Sequence, residues 1–182
     1  MKSSVRAMVL SALMTALICI LSQVSVPVGI TAVTLQTFAI ALAGYVLGAR
    51  PALWAALAYL ALGACGLPVY SCLSGGLGIL IGPTGGFLFG FPVMAFLCGL
   101  GKNGMLWRRA AAGLAGLCVV YILGTVQMSL TAGMSLWQSF LTGVAPFVIK
   151  DVLSVLGACL LGRTILRRIP QRADQREGGR HG

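Results

Sequence analysis

The chain has 182 residues, 58% of them hydrophobic and 9% charged, with a mean hydropathy of +0.97, which excludes a water-facing globular domain. Thirteen basic residues against three acidic ones give a formal net charge of +10, and His181 is the single histidine. A histidine-built metal site or catalytic triad is excluded with it.

The apolar runs are apolar on every side and do not alternate as barrel strands do, so lipid-spanning helices are read rather than an outer-membrane barrel. A span needs about 20 apolar residues for a hydrocarbon core of roughly 30 Å. Glycines, prolines and charges divide the chain into six segments, making it an all-α integral membrane protein; the second and third are short and could form one kinked segment, but the charges argue against that. The cysteines Cys19, Cys65, Cys72, Cys98, Cys118 and Cys159 show no C-x-x-C spacing. They read as small apolar packing residues.

The first span, residues 5–24, follows Lys2 and Arg6 like a signal peptide, but no small-x-small cleavage point interrupts it, and it reads as a retained helix. Within it Ala12 and Ala16 stand four apart on one face, a spacing that permits close helix approach, inside the monomer or to a partner. The following segment, 28–37, carries polar groups without charge. Thr34, Gln36 and Thr37 can hydrogen-bond a neutral ligand there, or Thr34 only caps the second helix. Spans 35–47 and 52–67 are parted by Arg50-Pro51, since proline fits a helix's first turn and not its interior.

The next connection runs through Gly66-Leu67-Pro68-Val69-Tyr70 and Gly75-Gly76-Leu77-Gly78 into Gly82-Pro83-Thr84-Gly85-Gly86-Phe87. So many glycines without charge read as a lid over a cavity, or as a string of tight turns. No Gly-Lys-Ser/Thr follows them, so a nucleotide-binding loop is excluded. Spans 86–100, 110–130 and 139–162 complete the set. The last holds Lys150 and Asp151, and Asp151 is the one acidic residue within a span. A carboxylate there costs about 2.5–3.5 kcal/mol on insertion scales, so it serves a salt bridge, a pathway or a ligand. With Pro146 in the first turn of that helix, Asp151 lies roughly 6–8 Å below the outer surface at about 1.5 Å per residue. Adjacent residues diverge by about 100° on a helix, so Lys150 and Asp151 are not expected to face each other.

With the N-terminus inside and six spans, twelve of the thirteen basic residues, all but Lys150, fall on the cytoplasmic side. The outer connections 25–34, 68–85 and 131–145 carry no charge. That is the positive-inside pattern and implies N-in, C-in topology. The charge is thereby accounted for without nucleic acid. Residues 1–166 read as one membrane domain and 167–182 as a basic, disordered cytoplasmic tail facing anionic lipid.

The stretches Val33-Thr34-Leu35-Gln36-Thr37, Gly66-Leu67-Pro68-Val69-Tyr70 and above all Gly75 through Pro92 resemble the BioY family, the biotin-specific substrate-binding (S) components of energy-coupling factor (ECF) transporters. The resemblance implies an ECF S-component fold that binds biotin from outside, beneath the outer loops. It implies as partners a transmembrane coupling subunit and two ABC-type ATPases, and neither enzymatic activity nor a cofactor. Carried over residue by residue, Ala12 and Ala16 would contact the coupling subunit. Thr34, Gln36, Ser74, Gly75 and Phe87 would line the pocket, and Asp151 would match the family's aspartate at the start of the last helix. The family often reads Pro-Phe-x-x-Gly-Asp-x-x-Lys, whereas this chain has Lys150 before the aspartate and Ser154 three after it. The expected roles are Asp151 accepting from biotin's ureido ring and Lys150 contacting its carboxylate directly or through water. The alternatives are an S component for another vitamin, or a membrane assembly subunit that binds no small molecule.

Overall fold

The computed structural model describes residues 2–28 and 31–168. The basic tail beyond Arg168, and His181 with it, lies outside them. Helix α1 (Lys2–Gln23) leads into a hairpin, β1 (Ser25–Val28) and β2 (Thr31–Thr34), then α2 (Gln36–Leu47) and α3 (Ala49–Ala64). A 3-10 turn (Ser71–Leu73) and the short α4 (Leu77–Ile81) precede α5 (Gly85–Leu100), α6 (Leu106–Ala132), α7 (Leu136–Gly143) and α8 (Val148–Arg168).

The six segments expected from the sequence fall on the six longer helices α1, α2, α3, α5, α6 and α8. Among the described residues only α6 is by itself long and apolar enough to cross a bilayer, and α7 with α8 qualifies as a pair bent by 56°. Two expectations need correcting. The last segment is not one helix from residue 139, and Pro146 lies in the bend, two residues ahead of α8 rather than in its first turn. Proline lacks the N–H that would continue α7 and clashes with the preceding turn, so the chain breaks there. Between α1 and α2 the chain forms an antiparallel hairpin in which Ser25 pairs with Thr34 and Val28 with Thr31.

Helix α2, about 18 Å long at 1.5 Å per residue, is buried from Gln36 to Tyr45 except at Phe38. It packs against α1, α3, α5 and α8. A helix surrounded by protein needs neither amphipathicity nor the full bilayer thickness, which explains its brevity. Gly48, at φ +94°, turns the chain directly into α3, with Pro51 in that helix's first turn. At this end the last carbonyls of α2 receive cations: Lys102 Nζ donates to Leu47 O at 3.2 Å and Arg109 to Tyr45 O at 3.5 Å. The Tyr45 hydroxyl donates in return to Arg109 O at 2.9 Å, and the Arg109 guanidinium lies 5.2 Å from the Tyr45 ring centre. Cations at a helix C-terminus complement its partial negative charge. Burial, and the charge of Arg109 beside it, hold the Lys102 ammonium below the usual lysine range.

Helix α1 is tied to α3 by two hydroxyls one turn apart, Ser11 donating to Pro51 O at 3.3 Å and Thr15 to Ala55 O at 3.0 Å. Its end holds the connection after α3. Gln23 Nε2 donates to Pro68 O and Tyr70 O, each at 3.1 Å, and its Oε1 accepts from Leu73 N at 3.0 Å. Cys72 and Leu73 sit at φ 56° and 55°, a conformation unfavourable for residues with a Cβ and held here by these bonds. Gln23→Leu is therefore expected to lower stability by about 2–3 kcal/mol, at roughly 1 kcal/mol per bond. Thermal unfolding of the purified protein checks this, and limited proteolysis should show earlier cleavage between residues 68 and 76.

Candidate functional site

One cavity opens between β2, the start of α2, the 70–84 connection, α5, α6 and the α7–α8 bend. The space between its lining atoms, open solvent at the mouth included, is about 660 Å³, of which about 90 Å³ is open to the centre of a water molecule. Phe87, Leu88, Phe91, Val120 and Phe147 supply apolar wall, while Thr34, Gln36, Tyr121, Lys150 and Asp151 supply polar groups. Lys150 and Asp151 are the charged residues among the described residues that line it.

Asp151 lies in the first turn of α8, where its N–H bonds Phe147 O at 2.8 Å and where the helix's N-terminal partial charge favours a carboxylate. Its residue is 6% exposed. The Tyr121 hydroxyl donates to Oδ2 at 2.9 Å. Oδ1 lies against the Lys150 ammonium, yet among the described residues no donor is aligned to hydrogen-bond it. Oδ1 is thus a charge-paired oxygen buried against the ammonium rather than an unmet acceptor.

The expectation that Lys150 and Asp151 diverge is overturned. The four-carbon lysine stem is long and flexible enough to fold back over one helical step. The same ammonium also donates to Thr34 O at 2.7 Å, which anchors it above α8 and ties the end of β2 to that helix. The Asp151 salt bridge and a place in a cavity, alternatives on the sequence, occur together.

Thr34 and Gln36 are held as one unit. The Thr34 hydroxyl donates to Gln36 Oε1 at 2.9 Å and accepts from Gln36 N at 3.3 Å; it is not the N-cap, a position held by Leu35 without a side-chain cap bond. Gln36 Nε2 donates to the Tyr59 hydroxyl. Phe87 lines the cavity with its ring pressed against Gly124, where an added Cβ would lie 2.3 Å from Cδ1. Glycine there lets α6 approach the ring.

Ser74 and Gly75 do not line this cavity; their neighbours Tyr70 and Ser71 do. The Ser74 hydroxyl donates to Ser71 O at 2.7 Å. Gly75 packs so closely on Leu67 that a Cβ would stand 2.2 Å from its carbonyl oxygen. Both residues shape the connection rather than the pocket surface. Ala12 and Ala16 lie away from the cavity and are exposed, along a shallow apolar groove with Thr15, Ala58, Ala61 and Leu62 between α1 and α3.

Sequence reasoning missed Tyr121 and Tyr59. The available signal was chemical: a phenol inside an apolar helix needs a hydrogen-bond partner, and each of these meets a polar residue of the cavity.

Several known proteins share this sequence and architecture. Residues 1–171 match the sequence model of the BioY family. The biotin transporter BioY of Thermotoga maritima is 37% identical over 159 residues, covering 86% of this chain and 93% of its own. The probable biotin transporter BioY of Pyrococcus horikoshii is 36% identical over 156 residues, with the same 86% and 93% coverage. Among solved structures, the S-component for biotin from an ECF-type ABC transporter aligns with a TM-score of 0.84 at 25% identity, covering 92% of this chain and 94% of that one.

Proposed function

The chain belongs to the BioY family, and from that premise we propose that it is the substrate-binding component of a biotin uptake transporter. It is a membrane protein and a transport component, not an enzyme. The observation that carries the ligand reading is the Lys150–Asp151 pair, a donor beside an acceptor, in the wall of a cavity whose other lining is apolar or uncharged. A cyclic urea offers N–H donors to such an acceptor, and the thiophane ring and valeryl chain suit the Phe87, Leu88, Phe91 and Val120 wall. In this reading Asp151, Lys150, Thr34, Gln36 and Phe87 contact biotin, and Tyr121 and Tyr59 hold Asp151 and Gln36 in place.

Biotin enters from outside, with the β1–β2 hairpin and the 68–84 connection as cover. Delivery inward uses a transmembrane coupling subunit and two ABC-type ATPases, and the Ala12 and Ala16 groove is where the coupling subunit docks. The chain sits in the cell membrane of a prokaryote with six spans and both termini cytoplasmic, because that arrangement places twelve of its thirteen basic residues inside.

Mass spectrometry of the purified protein is expected to find co-purified biotin. Calorimetry after its removal should give one saturable biotin site and no response to thiamine or riboflavin. A chain that ignores biotin and binds another vitamin, or none, overturns the reading.

A further inference from the structure

Resting on the biotin reading, the position of Lys150 bears on which end of the ligand is recognised. Biotin's ureido carbon and carboxylate carbon are separated by a chain of about eight bonds, roughly 10 Å when extended. Lys150 and Asp151 are in contact with each other, so together they serve one end only.

The ammonium already bonds Thr34 O and lies on Asp151 Oδ1. Drawing it away toward a distant carboxylate would leave Asp151, at 6% exposure, without its counter-charge, a strongly unfavourable change. Bringing the ligand carboxylate to the pair instead sets it beside Asp151 as well as Lys150, where attraction and repulsion largely cancel. An adjacent donor and acceptor match a cyclic urea, whose carbonyl and N–H groups are themselves adjacent. Thr31 also lines the cavity, three residues along β2 from Thr34 and therefore about 10 Å away. The remaining polar lining, including Thr31, Ser71 and Thr84, is uncharged. Hydroxyls donate and accept, and so suit an acid, an amide or an alcohol.

We infer that Lys150 and Asp151 together read the ureido ring and that the pocket accepts an uncharged group at the end of the valeryl chain. Its ligand class is the cyclic urea on an apolar tail, with or without a terminal charge. In this chain the lysine, placed before the aspartate, is a ureido-recognition residue and not a carboxylate-recognition one.

The test compares biotin with its primary carboxamide, biotinamide, by calorimetry on the purified full chain and on the Lys150→Met variant. The affinity ratio of the two ligands is expected to stay under about fivefold, because a lost charge-assisted bond to lysine would itself account for roughly ten- to a hundredfold. Lys150→Met should weaken both ligands by the same factor. A ratio above fivefold in the wild-type chain, or a Lys150→Met loss confined to biotin, overturns the inference while leaving the biotin reading intact. Absence of biotin binding by the wild-type chain overturns both.

Discussion

Replacing Asp151 by asparagine is expected to weaken biotin binding by about tenfold to a hundredfold, the equivalent of a charge-assisted hydrogen bond worth roughly 1.5–3 kcal/mol. The carboxamide is nearly isosteric and its oxygen can still accept from the Tyr121 hydroxyl, which bonds Oδ2 at 2.9 Å. The other position becomes an NH2 donor facing the ligand's own N–H, so an attraction turns into a clash of donors. The substitution also leaves Lys150 with Thr34 O but no counter-charge, and removing one member of a buried pair costs about 3–5 kcal/mol of stability. Lys150 is the more exposed partner, its side chain 27% accessible against 8% for Asp151, so the cost should fall below that range. Calorimetry gives the affinity and thermal unfolding the stability. Tyr121→Phe separates the two effects, because it removes one bond to Asp151 and keeps the charge. Near-native affinity in Asp151→Asn, with the protein folded, would remove Asp151 from the site.

A second large effect is expected at Gly86, where α5 meets α6. A Cβ there would lie 2.2 Å from the Leu123 carbonyl oxygen and 2.7 Å from its carbon, closer than any real contact. The obstacle is helix backbone, which cannot rotate aside. Four residues on, Gly90 faces Val120 in the same way, with a Cβ 2.7 Å from its Cα. The pair forms one small-residue stripe, the arrangement that brings helix backbones together in lipid. Gly86→Val must push α5 from α6 and shift Phe87 in the cavity wall. Overpacking usually costs about 1–3 kcal/mol, and more when backbone has to move, against a total stability of order 5–15 kcal/mol. Little folded protein should survive purification. Gly86→Ala should melt well below wild type. Gly78→Ala in α4 is the control: nothing lies within 4 Å of its would-be Cβ, and loss of a helical glycine should leave stability unchanged or slightly raised. If Gly86→Ala melts with wild type, the close α5–α6 contact is wrong.

Much of the fold was legible in the sequence because helix formation in an apolar chain is local. Glycine, proline and charge set where each helix must stop: α2 and α3 are separate as expected, although the break falls at Gly48 and Arg50-Pro51 lies in the first turn of α3. What stayed unread lies where local rules compete. Around Pro146 the apolar run continues but the hydrogen-bond ladder does not, so hydropathy reads one span where α7 and α8 meet at 56°. Between α1 and α2 the polar stretch holds no strong alternation, and the hairpin shows itself only through pairing of Ser25 with Thr34.

By itself the sequence determined that the chain lives in lipid, where its helices run, and that Asp151 is the carboxylate the apolar region must justify. Each follows from the free energy of placing groups in hydrocarbon, which depends on composition and nearest neighbours. The family, too, was readable from the Gly-Pro-Thr-Gly-Gly block. Only the tertiary structure decided what Asp151 touches. Tyr121 reaches it from 30 residues away, and Lys150 is anchored by Thr34 O from 116 residues away. Such contacts depend on helix rotation and on close approaches made at glycines, and neither leaves a local pattern. The adjacent lysine and aspartate form an ion pair because a backbone carbonyl from β2 fixes the ammonium above the helix.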